Sequence, residues 1–269
     1  MHRTLFTPAM IETFRSCKRA YELASLKFTN GGAPVRASVI CKKFILRALA
    51  EINRGKLESV NQVQKYMGQN WPTEKLEDQI GEKEKATRAF LFAYKSLIKY
   101  ASKPYRPRNA EVAAVALKVR ARIATVRVYV EDTLDLVLWH PDEKRLEIVD
   151  FQLQPLKPFD PAWPSSSVLV KYYLAEKLKS RWAFEKLTLT TYRVGTQSFQ
   201  PICINVEESI YKLHWAELVK TLDEMKDEKS ETTACTHQAK DSCRYCSNLV
   251  SEVSRDSSVD VEASFRLSA

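Results

Sequence analysis

Glycine is scarce in this chain, at 6 of 269 residues. A loop that wraps backbone amides around a phosphate needs glycines at fixed offsets, and neither G-x-x-x-x-G-K-[ST] nor G-x-G-x-x-G occurs. P-loop and dinucleotide-binding sites are therefore excluded. No apolar run reaches the roughly 18 residues a membrane span requires. Met1-His2-Arg3-Thr4 carries no apolar signal-peptide core, so a cytoplasmic location without membrane contact is expected. In a reducing compartment the 6 cysteines are not expected to form disulfides.

With 45% hydrophobic and 28% charged residues, the chain can bury a sizeable core. The formal net charge of +9 is unevenly spread. Residues 1–110 hold 21 Lys and Arg against 9 Asp and Glu, a net of +12, while residues 111–269 hold 21 against 24. A basic first part beside a slightly acidic second part points to a polyanion-facing surface on N-terminal helices, or else to an ordinary solvated face. Arg15, Lys18, Arg19, Lys42 and Lys43 are the candidates for phosphate contact, and Phe28, Tyr105 and Trp163 for base stacking.

Hydrophobic periodicity predicts a helix from Thr7-Pro8 with Met10, Phe14, Cys17, Tyr21 and Ala24 on one face. A second helix is predicted over about 38–54, with Val39, Ile40, Phe44, Ile45, Leu49 and Ile52 inward, and a long third one over about 73–102. From Glu111 the pattern turns to strands, at about 111–119, 121–130, 133–139 and 145–151, with a turn at His140-Pro141-Asp142-Glu143 that leaves His140 exposed. A helix over 166–181, strands over 186–194 and 199–205 and a helix over 207–227 follow, with His214 in that helix read as structural. Cys41 and Cys203 read as core residues. The order predicts an α/β (α+β) fold, a mixed sheet flanked by helices with an N-terminal helical layer. One domain is expected over 1–250: a basic helical part (1–105), a sheet core (106–206), and a helix with a Cys-rich loop (207–250). A Ser-rich disordered tail is expected over 251–269.

Asp135 and Asp150 lie on neighbouring predicted strands, and Gln152 shares a face with Asp150 because residues i and i+2 point the same way. Two close carboxylates repel, and Mg²⁺ or Mn²⁺ relieves the repulsion through hard oxygen ligands. Such an ion polarises a phosphate and lowers the pKa of an attacking water. A lysine at 152 would add positive charge; glutamine cannot. Lys157 and Lys171 are the lysines that could reach the site from elsewhere. Cys235, His237 and the Cys243-Arg-Tyr-Cys246 pair have the local spacing of a zinc site.

These elements together resemble the PD-(D/E)XK nuclease superfamily, in its RecB-like branch of CRISPR-associated four-cysteine exonucleases and AddB-type nuclease domains. Met10 to Tyr21 is similar to that branch's first helix, Asp132-Thr133-Leu134-Asp135 to its G-x-[IV]-D element, and Ile148-Val149-Asp150-Phe151-Gln152 to V-D-[YF]-K. The resemblance implies Glu111, Asp135 and Asp150 as Mg²⁺ or Mn²⁺ ligands with Gln152 in the lysine's place. It also implies an iron–sulfur cluster (4Fe-4S) on Cys17, Cys235, Cys243 and Cys246. The substrate implied is DNA, as single strands or duplex ends, cut in an exonuclease-type hydrolysis. Four positions depart from the pattern: Gln152 for lysine, Asp132 for glycine, Leu169 for the glutamine of a Q-x-x-x-Y helix, and Cys41 near the place of a histidine. A catalytically silent protein that binds DNA or a partner nuclease is the alternative.

Overall fold

The computed structural model describes residues 4–22, 37–80, 83–153, 164–197 and 200–227. Helix α1 (Pro8–Ser16) starts as expected: the Thr7 hydroxyl accepts from the Met10 N–H at 3.4 Å and Pro8 opens the first turn. The expected helix is interrupted, because Cys17 is extended (φ −164°, ψ 111°); it resumes at residue 18, and its expected continuation past 22 lies outside the described residues. Helix α2 (Ala37–Asn53) is followed by Gly55 at φ +74°, a left-handed conformation that suits glycine. Val39, expected inward, is 39% exposed.

Helix α3 (Val60–Asn70) was not expected. Only Val63 and Met67 are buried, so its apolar stripe is thin, but Ser59 and Gln62 form a reciprocal capping box. The single helix expected over 73–102 is two, α4 (Thr73–Ile80) and α5 (Lys83–Ser102).

The sheet is mixed. Strands β1 (Leu5–Phe6), β2 (Glu111–Ile123), β3 (Val128–His140), β4 (Arg145–Gln152), β5 (Lys186–Arg193) and β6 (Ile202–Ile204) run in the order β1-β3-β4-β5-β6, with β2 also on β3. Three strands, not four, cover 111–152, and the hairpin between β2 and β3 turns at Arg127, φ 56°. β4 and β5 are parallel, joined through helix α6 (Ser166–Glu176), while β6 returns antiparallel and leads into α7 (Glu208–Asp227).

Helices cover both faces. Phe6, Ile11, Phe14, Val130, Leu134, Ile148, Leu169 and Leu222 form a core under α1, α6 and α7. Phe44, Leu49, Leu97, Leu136, Leu138, Val149 and Phe151 form a second under α2, α3 and α5. This three-layer arrangement is the mixed α/β architecture expected from the sequence.

One end of the sheet is stapled by a buried carboxylate. Glu147 accepts from Tyr105 Oη (2.8 Å) and Thr190 Oγ1 (2.6 Å), and meets His140 Nε2 at 2.7 Å. His140 is thus buried at 3% exposure, a correction to the exposed turn residue expected: the strand continues through it, and Glu147 satisfies its ring. Cys203 is exposed rather than core, on the short edge strand β6, whereas Cys41 and His214 are buried.

Candidate active site

The sheet forks at one place. β2 pairs with β3 along nearly its whole length, so β1 and β4 must share the opposite edge of β3. β1 pairs with Tyr129 and Val130, and β4 with Leu136 to His140. Residues 131–135 lie between them. β4 leaves β3 after Val149 but stays with β5 as far as Gln152. Asp132 and Asp135 therefore sit on one side of the fork, and Asp150 and Gln152 on the other.

The strand itself is irregular there. Val128, Val130 and Leu134 pack in the first core and Leu136 and Leu138 in the second, so the in-out alternation changes phase at Asp135. Opposite, on β2, Ala116 has φ 50°. A carboxylate closes the gap: the Phe151 N–H, freed from β3, donates to Asp135 Oδ2 at 2.9 Å.

Lys171 enters from α6. Its side chain is 8% exposed; its ammonium contacts Asp150 Oδ1 and lies 3.8 Å from Asp132 Oδ2. Gln152 Nε2 donates to the other oxygen of Asp150. Three carboxylates thus face one ammonium. Burial, followed by the charge of Asp150, pushes Asp135 up to about 6. Burial also raises Asp132, against the pull of Lys171, the Thr133 N–H and Lys42 of α2. Burial opposes the charge of Lys171, yet Asp150 and Asp132 outweigh it and hold the ammonium above the usual lysine value.

Other predicted residues go elsewhere. Glu111 is exposed at the start of β2, opposite Trp139. Trp139 is four residues from Asp135, about 13 Å along a strand, so the structure does not bring Glu111 to the pair. Leu169 is fully buried in the first core. Tyr173 donates to the Arg122 carbonyl at 2.7 Å and stacks on Trp215. Burial raises the Cys41 thiol to about 11. Arg15 is held by Ser166 and Thr221, and Lys18 by Glu224, whereas Lys42 and Lys43 are exposed. Tyr105 spends its hydroxyl on Glu147.

Cys17 is buried at the end of α1. Cys235, His237, Cys243 and Cys246 lie outside the described residues, as do Lys157, Phe28, Trp163 and the tail.

Two members of the cluster were not among the expected ligands. Asp132 stood out only as a departure from glycine. Lys171 had a readable signal: it is the lone charge in Val168-Leu169-Val170-Lys171-Tyr172-Tyr173-Leu174-Ala175. Lysine in so apolar a helix is rarely buried without a partner.

Asp132, Asp135 and Asp150 offer hard oxygens and more negative charge than Lys171 neutralises, which fits Mg²⁺ or Mn²⁺ in donor type and in charge. Among the described residues no three such side chains stand at metal-cage spacing, and Lys171 and Gln152 occupy the two oxygens of Asp150.

No family model matches the chain, and no curated protein matches it. A solved structure similar to it is that of a protein from Eubacterium rectale, provisionally described as an exonuclease. The two are 9% identical with a TM-score of 0.49, over 97% of this chain and 92% of that one.

Proposed function

We propose that this protein is a RecB-like PD-(D/E)XK nuclease that hydrolyses phosphodiester bonds of DNA, at single strands or duplex ends, with a divalent cation. The observation that carries the reading is the convergence of Asp132, Asp135, Asp150 and Lys171 at the fork of the sheet. Asp135 and Asp150, with Asp132 beside them, would hold Mg²⁺ or Mn²⁺; Glu111 is left out because of its place on β2. A bound ion of this kind polarises the phosphate and acidifies a water. The protein's own part is to bring the carboxylates together, and to hold Asp150 between Lys171 and Gln152. The basic N-terminal 110 residues supply a polyanion-facing charge.

A second reading has its own observation. Both oxygens of Asp150 are already engaged within the protein, as in a site that has ceased to bind metal and only holds DNA or a partner nuclease.

Labelled single-stranded and blunt duplex DNA incubated with Mn²⁺ separates the two. The nuclease reading expects cleavage that disappears in Asp150→Ala. A protein that retards DNA in a salt-dependent way without cutting it supports the silent reading instead. A protein that neither cuts nor binds DNA removes the nuclease and leaves, of the silent reading, only the contact with a partner nuclease.

A further inference from the structure

We propose that Lys171 is the working cation of this site: delivered from helix α6 rather than from strand β4, it stabilises negative charge on the phosphate undergoing hydrolysis. The inference rests on the nuclease reading above and names a residue role that reading leaves open.

The position after Phe151 is Gln152, which can donate a hydrogen bond but carries no charge. Hydrolysis adds a water oxygen to phosphorus and breaks a phosphorus–oxygen ester bond, with one proton passing from water to the departing alkoxide. Negative charge builds on the phosphate oxygens midway, and a fixed cation there has large leverage. Lys171 meets the geometric requirement. Its stem lies in an apolar helix face between Leu169, Val170 and Leu174, and its ammonium ends among carboxylates that are 21% and 24% exposed, Asp150 and Asp132. It touches Asp150, the carboxylate two residues before Gln152.

Stability does not account for it. A buried ion pair is on the whole no more stabilising than well-packed apolar residues. Here one ammonium faces three acidic groups, an arrangement with surplus charge rather than a closed pair. Like charges gathered around one partner in this way cluster at functional sites. Asp132 adds to this, a further carboxylate 3.8 Å from the same ammonium.

The test relocates the charge. Wild type, Lys171→Met, and the double variant Lys171→Met with Gln152→Lys are compared for cleavage of labelled single-stranded DNA with Mn²⁺. Their Mn²⁺ dissociation constants are measured by calorimetry, and their folding by circular dichroism. Lys171→Met is expected to cut about 10²–10³-fold more slowly, and the double variant to recover at least about tenfold. Lys171→Met should bind Mn²⁺ at least as tightly as wild type, because a competing cation has gone; a merely structural lysine would instead lose metal binding and cleavage together. Should Lys171→Met fail to fold, the double variant decides alone: cutting supports the inference, and a folded but inert protein overturns it. A Lys171→Met protein that cuts within about threefold of an active wild type overturns this inference and leaves the nuclease reading intact. A wild type that never cuts overturns both.

Discussion

Asp135 is ionised only at a cost. Burial and the neighbouring Asp150 hold its carboxyl up to about 6, against an ordinary value of about 3.9 in an unfolded chain. Between those values the folded protein binds more protons than the unfolded one, so stability falls as pH rises through the window and stays lower above it. Asparagine copies the neutral form and keeps an acceptor for the Phe151 N–H. Asp135→Asn is therefore expected to stabilise the metal-free protein by about 1–3 kcal/mol at pH 7.5 and by little at pH 4. Thermal melts at the two values check this, and equal shifts at both would count against the stated cause. At this scale Asp135, Asp150 and Gln152 were legible, because a hairpin and the i, i+2 rule bring them together. Asp132 was not, because the strand changes phase at Asp135 and the pattern alone assigns no partner to residue 132.

The elements were legible where their periodicity is long and illegible where something breaks it. α5 and α7 were found to within a few residues at their C-terminal ends, and β3 and β4 as hairpin strands. α3 was missed for want of an apolar stripe, although its capping box is present in the sequence. The β2–β3 boundary was misplaced: the strands run through the expected breaks at 120 and 131–132, and the chain turns instead at 124–127. At the far end of the sheet Glu147 joins β4 to β5 through Thr190, to β3 through His140 and to the 103–110 connection through Tyr105. Arg145 adds a contact at 3.4 Å. Glu147→Ala would leave Thr190 and His140 buried without this partner, and is expected to cost about 3–5 kcal/mol in urea denaturation. A loss under about 1 kcal/mol would mean that the network is slack. The proposed site lies at the other end of β4, so any Mn²⁺ binding by the wild type should persist in the surviving folded fraction.

Across the whole molecule, the basic first 110 residues place α2, α3 and α5 over one face of the sheet, while α1, α6 and α7 cover the other. The expected iron–sulfur cluster would tie Cys17, buried in the second of these layers, to Cys235, Cys243 and Cys246. It predicts a brown protein after anaerobic purification, with iron and sulfide bound, that turns colourless in Cys17→Ala. The zinc alternative on Cys235, His237, Cys243 and Cys246 predicts a colourless protein whose bound zinc survives Cys17→Ala. Metal analysis of both proteins decides between them.

What the sequence determined by itself is what depends on neighbours along the chain: the long helices, the hairpin that turns at His140 to Glu143, and the two carboxylates on its strands. Those follow from periodicity, caps and turns, which act over a few residues. What the tertiary structure decided joins residues far apart. Lys171 reaches Asp150 only because the β4–α6–β5 crossover lays α6 across the sheet, and Glu111 leaves the cluster only through the register of β2 on β3. Strand register and helix docking are set by cores assembled from the whole chain. The charge at position 152 was missing from the sequence motif; the fold returned a charge to the site from 21 residues past Asp150.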